Sequence, residues 1–114
     1  TEFVAGFIGA PSMNIVDADT SVGQSVSRRP GAVRVGIRPE HIELRDGGIP
    51  ARIHVKEQLG GECYLYTRTE DGIEIVVKTD GEEARVAGDS VSLVLPENRV
   101  HQFDDKGAAL RGDG

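Results

Sequence analysis

One short stretch of this 114-residue sequence looks suited to phosphate chemistry. It is Leu59-Gly-Gly-Glu62, whose paired glycines are typical of loops that bind phosphate. Such loops need a helix N-terminus behind them, where free N–H groups and the helix dipole meet the anion. The next residues, Cys63-Tyr-Leu-Tyr-Thr67, instead have the pattern of a strand, so we interpret the two glycines as a hairpin turn. The sequence also lacks the Gly-x-x-x-x-Gly-Lys-Ser/Thr loop, and we predict that this chain neither binds nor hydrolyses ATP.

The histidines and the cysteine are the residues that could bind a transition metal. His41, His54, His101 and Cys63 are scattered singly, without the short spacings that bring ligands together. We therefore predict no metal site and no cofactor in this chain. Cys63 begins a predicted strand with Leu65 on its own side, and we interpret it as a small core residue and not as a nucleophile.

Arg38-Pro-Glu-His41 is the most promising polar cluster. In a purely structural interpretation Pro39 closes a strand, Arg38 pairs with Glu40, and Glu40 and His41 shape the following turn. A functional interpretation, in which the turn contacts a partner, comes from the family resemblance described below, and the residues themselves add only that arginine is a residue type favoured at interfaces. The sequence leaves both interpretations open.

The elements that position these residues are predicted to be strands. Apolar residues alternate with polar ones in four segments, which indicates half-buried strands, and the apolar sets are Val33, Val35 and Ile37; Ile53 and Val55; Ile73, Ile75 and Val77; and Val91, Leu93 and Leu95. Met13 to Ala18 is predicted as a further short strand, and Asp19 to Gly31 as a hairpin or loop. Turn signals separate the segments: Asp46-Gly-Gly48, Leu59-Gly-Gly61, Glu70-Asp-Gly72, Asp80-Gly81 and Ala87-Gly-Asp89. This pattern predicts a small all-β barrel or sandwich.

Both ends of the chain differ from this pattern. Phe3 and Phe7 lie four residues apart on one face of a predicted short N-terminal helix, which Gly9 and Pro11 end. Near the other end, Phe103 is predicted in the core with His101 on the same side, and residues 104–114 are predicted to be frayed.

Composition and charge exclude several functions. The chain has 13 basic and 19 acidic residues and a formal charge of −6, which disfavours binding to nucleic acid or to anionic lipid. No apolar run approaches the roughly 20 residues of a membrane span. A single cysteine excludes an intrachain disulfide and favours a cytoplasmic protein.

Four collinear stretches resemble one protein family. They are Phe3-Val-Ala-Gly-Phe-Ile-Gly-Ala-Pro-Ser-Met-Asn14; Val35-Gly-Ile-Arg-Pro-Glu-His-Ile42; Val55-Lys-Glu-Gln-Leu-Gly-Gly-Glu62 leading into Tyr64-Leu-Tyr66; and Gly88-Asp-Ser-Val-Ser-Leu93 followed by Val100-His-Gln-Phe-Asp104. Together they resemble the C-terminal part of the ATP-binding subunits of carbohydrate ABC importers, of the maltose and glycerol-phosphate type more than the polyamine type.

The resemblance implies a fold, a role and partners. Residues 1–10 would be a linker helix that ends the preceding nucleotide-binding domain, and residues 11–114 a TOBE domain, a barrel similar to the oligonucleotide-binding (OB) fold. Such a domain is noncatalytic, pairs with a second copy, contacts its own nucleotide-binding domain and, indirectly, the permeases, and in some members receives a regulatory protein. ATP and Mg would belong to the full subunit, held peripherally at the cytoplasmic face of the membrane. Phe3, Phe7, Arg38, Glu40 and His41 are the expected interface residues.

Two alternatives belong to other functional classes. A small-oxyanion site between barrels, as in molybdate-binding (MOP-like) relatives of this architecture, would need clustered N–H groups and hydroxyls, and no compact Ser/Thr-Lys motif supplies them. A nucleic-acid-binding OB barrel would need stacking aromatics on a basic groove, whereas this chain has only two Tyr and three Phe and a pI near 5.0.

Overall fold

The chain folds into two antiparallel sheets, seen in a computed structural model that describes residues 12–110. The strands in that range are β1 (Asn14–Asp17), β2 (Arg34–Ile37), β3 (Glu43–Leu59), β4 (Glu62–Thr69), β5 (Glu74–Asp80), β6 (Ser90–Val94), β7 (His101–Phe103) and β8 (Ala109–Leu110). The first sheet has the order β1-β2-β7-β8, and the second has the order β5-β4-β3-β6. The predicted all-β, OB-like class is confirmed. The predicted N-terminal helix, with Phe3 and Phe7, lies outside the described residues.

The alternation in the sequence predicts most of the buried faces. Strand β2 lies between β1 and β7. Its Val35 and Ile37 side chains are buried, whereas Arg34 is half-buried. In β5, Ile75 and Val77 are buried, and in β6 Leu93 is fully buried. These predictions are confirmed. The alternation predicts burial correctly here because one face of each strand packs against the same apolar core.

The core is aliphatic, as expected from a chain so poor in aromatic residues. Cys63 and Leu65 on β4 are completely buried in it, which confirms the structural interpretation of the cysteine. Burial of each large aliphatic side chain is worth about 1.5–3 kcal/mol. The buried cluster includes Val22, Val35, Ile37, Ile53, Leu65, Ile75, Val77 and Leu93.

Gly60 and Gly61 form the two-residue turn that joins β3 to β4. Leu59 pairs directly with Glu62, and Gly60 adopts a positive φ of 62°, where a side chain would be strained. The prediction of a hairpin turn here is confirmed.

Asp46-Gly-Gly48 is not the turn that was predicted. These residues lie inside β3, where both Leu44 and Ile49 are paired with Leu93, so the residues between them bulge out of the ladder. A Cβ on Gly48 would lie 2.1 Å from the carbonyl oxygen of Leu93, which explains why a glycine occupies this position.

The prediction that Val55 shares the buried face of Ile53 is also wrong. The β3–β4 ladder has its own register shift between Ile53 and Val55. Side chains after this shift lie on the opposite face of β3 from the one that the alternation predicts. Ile53 is fully buried, whereas Val55 is 46% exposed and pairs with Tyr66.

The closing strands differ from the prediction in two ways. His101 is exposed and Phe103 only half-buried, while Gln102 points inward and is 6% exposed. The Gln102 amide accepts from the N–H of Arg29 at 2.8 Å and donates to the carbonyl of Ser27 at 2.9 Å, so a polar residue replaces the expected aromatic. Residues 104–110, predicted as frayed, instead form a turn and β8, which pairs with β7.

The N-terminal part of the described chain joins the two sheets. The predicted strand over Met13–Ala18 is found as β1, and the predicted loop that follows contains a single 3-10 turn at Gly23–Ser25. The Asn14 side chain reaches from β1 to the edge of β5, where its Oδ1 accepts from the N–H of Val76 and its Nδ2 donates to the carbonyl of Val76, both at 2.9 Å. None of the helices within residues 12–110 has the length and apolar character needed to cross a bilayer.

Candidate functional site

The Arg38–His41 turn is the part of the predicted interface that the structure describes. It begins after β2 with Arg38 in an extended conformation, as expected before a proline, and continues as a 3-10 helix over Pro39–His41. The N–H of His41 donates to the carbonyl of Arg38 at 3.0 Å and closes the turn. Pro39 is buried, whereas Arg38 and Glu40 are exposed, so the turn presents its charges to solvent.

The structural interpretation of this turn is correct only in part. Pro39 does follow the end of β2, and Glu40 and His41 do shape the turn. Among residues 12–110, however, no ion pair joins Arg38 to Glu40. The Arg38 guanidinium is therefore not needed to hold the turn.

His41 contains an unusual polar atom. Its Nδ1 is buried and has no hydrogen-bond partner within the described residues. Most buried polar atoms are hydrogen-bonded, and one that is not needs an explanation such as a contact made elsewhere.

The turn packs against β5 beside a polar cluster on the outer face of the second sheet. At the centre of the cluster is Tyr64, 2% exposed, whose hydroxyl donates to Glu62 Oε1 at 3.2 Å. Lys78 Nζ lies 3.3 Å from the other carboxylate oxygen of Glu62. The negative charge of Glu40 also acts on Tyr64 and Lys78, which places that side chain at the edge of the cluster.

The protonation states of Tyr64 and Lys78 follow from their surroundings. Burial raises the pKa of Tyr64 above its usual value of 10.0, and the hydrogen bond and charge of Glu62 raise it further. The hydrogen bond and charge of Glu62 also raise the pKa of Lys78. At neutral pH Tyr64 is therefore a neutral donor and Lys78 a cation.

Tyr64, Glu62 and Lys78 could not be assigned to this site from the sequence because they are distant from Arg38 along the chain. One signal was present: Tyr64 alternates with Cys63 and Leu65, so it had to point away from the core. Its burial on that outer face, beside a turn that packs on β5, results from tertiary packing, which no local pattern reveals. Of the other residues considered, His54 lies 3.6 Å from a carboxylate oxygen of Glu74, and His101 is exposed on β7. Within the described chain no three His, Cys, Asp or Glu side chains are grouped as metal ligands.

Two four-stranded antiparallel sheets around an aliphatic core, with a charged turn on one outer face, define a small OB-like β-domain. Comparison with known proteins agrees with this class. A family model described as "TOBE domain" matches residues 35–103, more than half of the chain and all of the strands from β3 to β7. The chain belongs to the TOBE domain family.

Curated relatives extend the match beyond the family model. The chain is similar to the sn-glycerol-3-phosphate import ATP-binding protein UgpC of Psychromonas ingrahamii, with 33% identity over 90% of this chain and 33% of the relative. The protein of the same name from Rhizobium meliloti is 34% identical over 96% of this chain and 35% of its own length. The protein of the same name from Rhodopseudomonas palustris is 36% identical over 94% of this chain and 36% of its own length. The chain thus spans about a third of the length of these relatives, and the resemblance inferred from the sequence motifs is confirmed.

Proposed function

We propose that this chain is the noncatalytic C-terminal regulatory and dimerisation domain of the ATP-binding subunit of a carbohydrate-type ABC importer. The observation that carries the proposal is the match of nearly the whole chain to about a third of import ATP-binding proteins. The remaining two thirds of such a subunit would bind ATP and Mg. The domain would support ATP-driven solute uptake from the cytoplasmic face of the membrane, held there by the permease subunits.

The chemistry of the chain supports a noncatalytic role. The sequence has no Walker-type phosphate loop, and the glycine pair at Gly60 and Gly61 connects two strands of a hairpin. A strand provides no helix N-terminus to bind an anion. The domain would therefore act through the surfaces it presents, among which a regulatory protein could also be a partner.

The proposed contact surface is the Arg38–His41 turn together with Phe3 and Phe7. Arg38 and Glu40 are exposed and not paired with each other, and the buried Nδ1 of His41 needs a partner. In the complete subunit this turn would face the second copy or the adjacent nucleotide-binding domain. The two phenylalanines would pack into the seam between the domains.

Calorimetry and sedimentation test the two parts of this proposal. Titration of the chain with Mg-ATP should give no binding heat, and saturable binding would contradict the noncatalytic role. Sedimentation velocity should show a concentration-dependent dimer that the Phe3→Asp/Phe7→Asp double variant weakens. A wild-type chain that stays monomeric at every accessible concentration would contradict the dimerisation role.

The contribution of the turn needs the full subunit in its transporter. Arg38→Ala and Glu40→Ala should lower substrate-stimulated ATPase activity without changing the unfolding midpoint. Arg99→Ala, at an exposed 3-10 turn elsewhere, is the matched control and should leave the activity unchanged. Equal activity in all three variants would remove the turn from the interface.

A further inference from the structure

Three Asp-Gly pairs lie within residues 12–110, and the fold treats them differently. They are Asp46-Gly47, Asp71-Gly72 and Asp80-Gly81. An Asp-Gly pair is prone to spontaneous isomerisation, because glycine has no side chain to keep the aspartate carboxyl group away from the next backbone nitrogen. The reaction requires a carboxyl group that is free to turn towards that nitrogen. The hydrogen bonds of each aspartate therefore decide which pair can react.

Asp71 is the most strongly restrained of the three. Its carboxylate accepts from the hydroxyl of Thr69 at 2.5 Å, and from the N–H and the hydroxyl of Ser21 at 2.9 and 2.7 Å. The N–H of Gly72 donates to the carbonyl of Thr69 at 3.0 Å. The hydrogen bonds from Thr69 and Ser21 lower the pKa of Asp71 from 3.8 to about 2, so its carboxyl group rarely carries the proton that cyclisation removes as water. Both reacting groups are thus engaged elsewhere.

Asp80 is restrained by the turn that follows β5. Its Oδ1 accepts from the N–H of Glu82 at 2.9 Å. The carbonyl of Gly81 accepts from the side chain of Gln58 at 2.9 Å, and a Cβ on Gly81 would lie 3.1 Å from the carbonyl oxygen of Gly60. This pair therefore lies against the β3–β4 hairpin and has little room to rotate.

Asp46 has none of these restraints. It is exposed, and within residues 12–110 its carboxylate makes no ion pair and no hydrogen bond. Neither Asp46 nor Gly47 has a partner in the β3–β6 register, which shifts between Leu44 and Ile49. A Cβ on Gly47 would meet no atom within 4 Å. The carboxyl group of Asp46 is thus free to approach the nitrogen of Gly47.

We propose that Asp46 is a site of spontaneous isomerisation to isoaspartate in the folded protein. The backbone nitrogen of Gly47 bonds to the side-chain carbonyl carbon of Asp46, the nitrogen loses its proton, the carboxyl group loses its OH, and one water molecule leaves. The product is a cyclic succinimide. One water molecule then adds to either of its carbonyl carbons. Opening at the side-chain carbonyl regenerates Asp46, whereas opening at the backbone carbonyl gives isoaspartate, so no reactant other than water is needed.

Isoaspartate changes the backbone at the point where β3 rejoins β6. The chain then continues through the former side chain, which adds one methylene to the backbone and leaves the α-carboxylate free. The next residue, Gly48, donates its N–H to Ser92 Oγ at 2.7 Å and lies too close to the carbonyl of Leu93 to carry a Cβ. A longer backbone displaces Gly48 from these contacts, so the isomerised chain should be less stable. The exposed α-carboxylate also fits isoaspartyl O-methyltransferases, which esterify such groups with the methyl group of S-adenosylmethionine.

Peptide mapping of the aged chain tests the proposal. The protein is kept folded at neutral pH and physiological temperature, digested after glutamate, and analysed by liquid chromatography and mass spectrometry. Isoaspartate has the mass of aspartate but a different retention time, and it resists the protease that cleaves before aspartate. The peptide spanning residues 44–57 should isomerise several times faster than the peptides that contain Asp71 and Asp80. Equal or faster isomerisation of either of those two would overturn the proposal.

Two controls separate the fold from the local sequence. In urea the three pairs should isomerise at similar rates, because their protecting contacts are lost; the folded-state ranking persisting in urea would overturn the structural argument. Asp46→Glu keeps the charge but closes the cyclic imide far more slowly, so this variant should keep its melting temperature on ageing while that of the wild type falls. Asp80→Glu is the matched control and should age like the wild type. An equal fall in Asp46→Glu would contradict the effect assigned to Asp46.

Discussion

Replacing Asn14 with alanine should destabilise the domain far more than a half-buried polar position on a short strand suggests. The Asn14 amide is the link between β1 and the edge of β5, because it accepts from the N–H of Val76 and donates to its carbonyl. A third, longer contact of 3.3 Å reaches the carbonyl of Ile37. In Asn14→Ala the two backbone groups of Val76 lose their partner while the strands around them stay in place.

The size of the effect follows from these contacts. Each net hydrogen bond contributes about 1 kcal/mol, and leaving a buried partner unsatisfied costs about 1–3 kcal/mol. Val76 is half-buried, so water can reach its groups in part, and we expect a total loss of about 2–3 kcal/mol in the free energy of unfolding. For a domain of this size that corresponds to a decrease in melting temperature on the order of 10–20 °C.

Urea denaturation measures this loss directly. The midpoint should fall while the slope m stays constant, because the surface exposed on unfolding does not change. Asn98→Ala, at an exposed asparagine in the 3-10 turn Glu97–Arg99, is the matched control and should change the stability by less than about 0.5 kcal/mol. If Asn14→Ala is as stable as the Asn98→Ala control, the amide does not join the sheets.

Three further substitutions test other features. Gln102→Ala should lower the free energy of unfolding by about 1–3 kcal/mol and speed amide exchange in the loop before β2, because that loop loses two hydrogen bonds. The neighbouring His101→Ala should leave the stability unchanged. The reverse result would restore the prediction of an inward histidine. Gly48→Ala should lower the melting temperature strongly, because the new Cβ would lie 2.1 Å from a carbonyl oxygen of β6. Gly61→Ala should lower it only slightly, because the space around Gly61 is open. Equal decreases in the two variants would refute the close approach at Gly48. Asp71 has its pKa lowered from 3.8 to about 2 by hydrogen bonds from Thr69 and Ser21, so its stabilisation is present above pH 4 and is lost as the pH falls towards 2. Acid titration of the unfolding free energy should show a stability difference between wild type and Asp71→Asn that shrinks over that range, and a difference independent of pH would contradict it.

The sequence predicts the faces of short strands well and their irregularities poorly. Val35, Ile37, Ile75 and Leu93 each belong to a set of apolar residues at every second position, and all four are buried as predicted. Val55 follows the same pattern, yet it is exposed because a register shift intervenes. A bulge depends on the partner strand, so the residues of one strand cannot reveal it.

The glycines show the same distinction. At Gly60 and Gly61 the turn is local, and two adjacent glycines between strands are enough to predict it. At Gly47 and Gly48 an equally good turn signal lies within a strand, because Gly48 is needed for close contact with Leu93 from a distant part of the chain. The candidate site is similar: Arg38, Glu40 and His41 are a local motif, whereas Tyr64 joins them only through tertiary packing.

The two partners of β3 also have a consequence for synthesis of the chain. β4 follows β3 after two residues, while β6 begins only at Ser90, more than thirty residues after the last β3 residue that pairs with it. Closing the longer loop costs more entropy, so the hairpin should form first, within about 1–10 μs, and β6 should join later. On a ribosome, the first half of β3 would therefore have an open edge until residues 90–94 emerge, and that edge is the segment most exposed to mispairing or to chaperones.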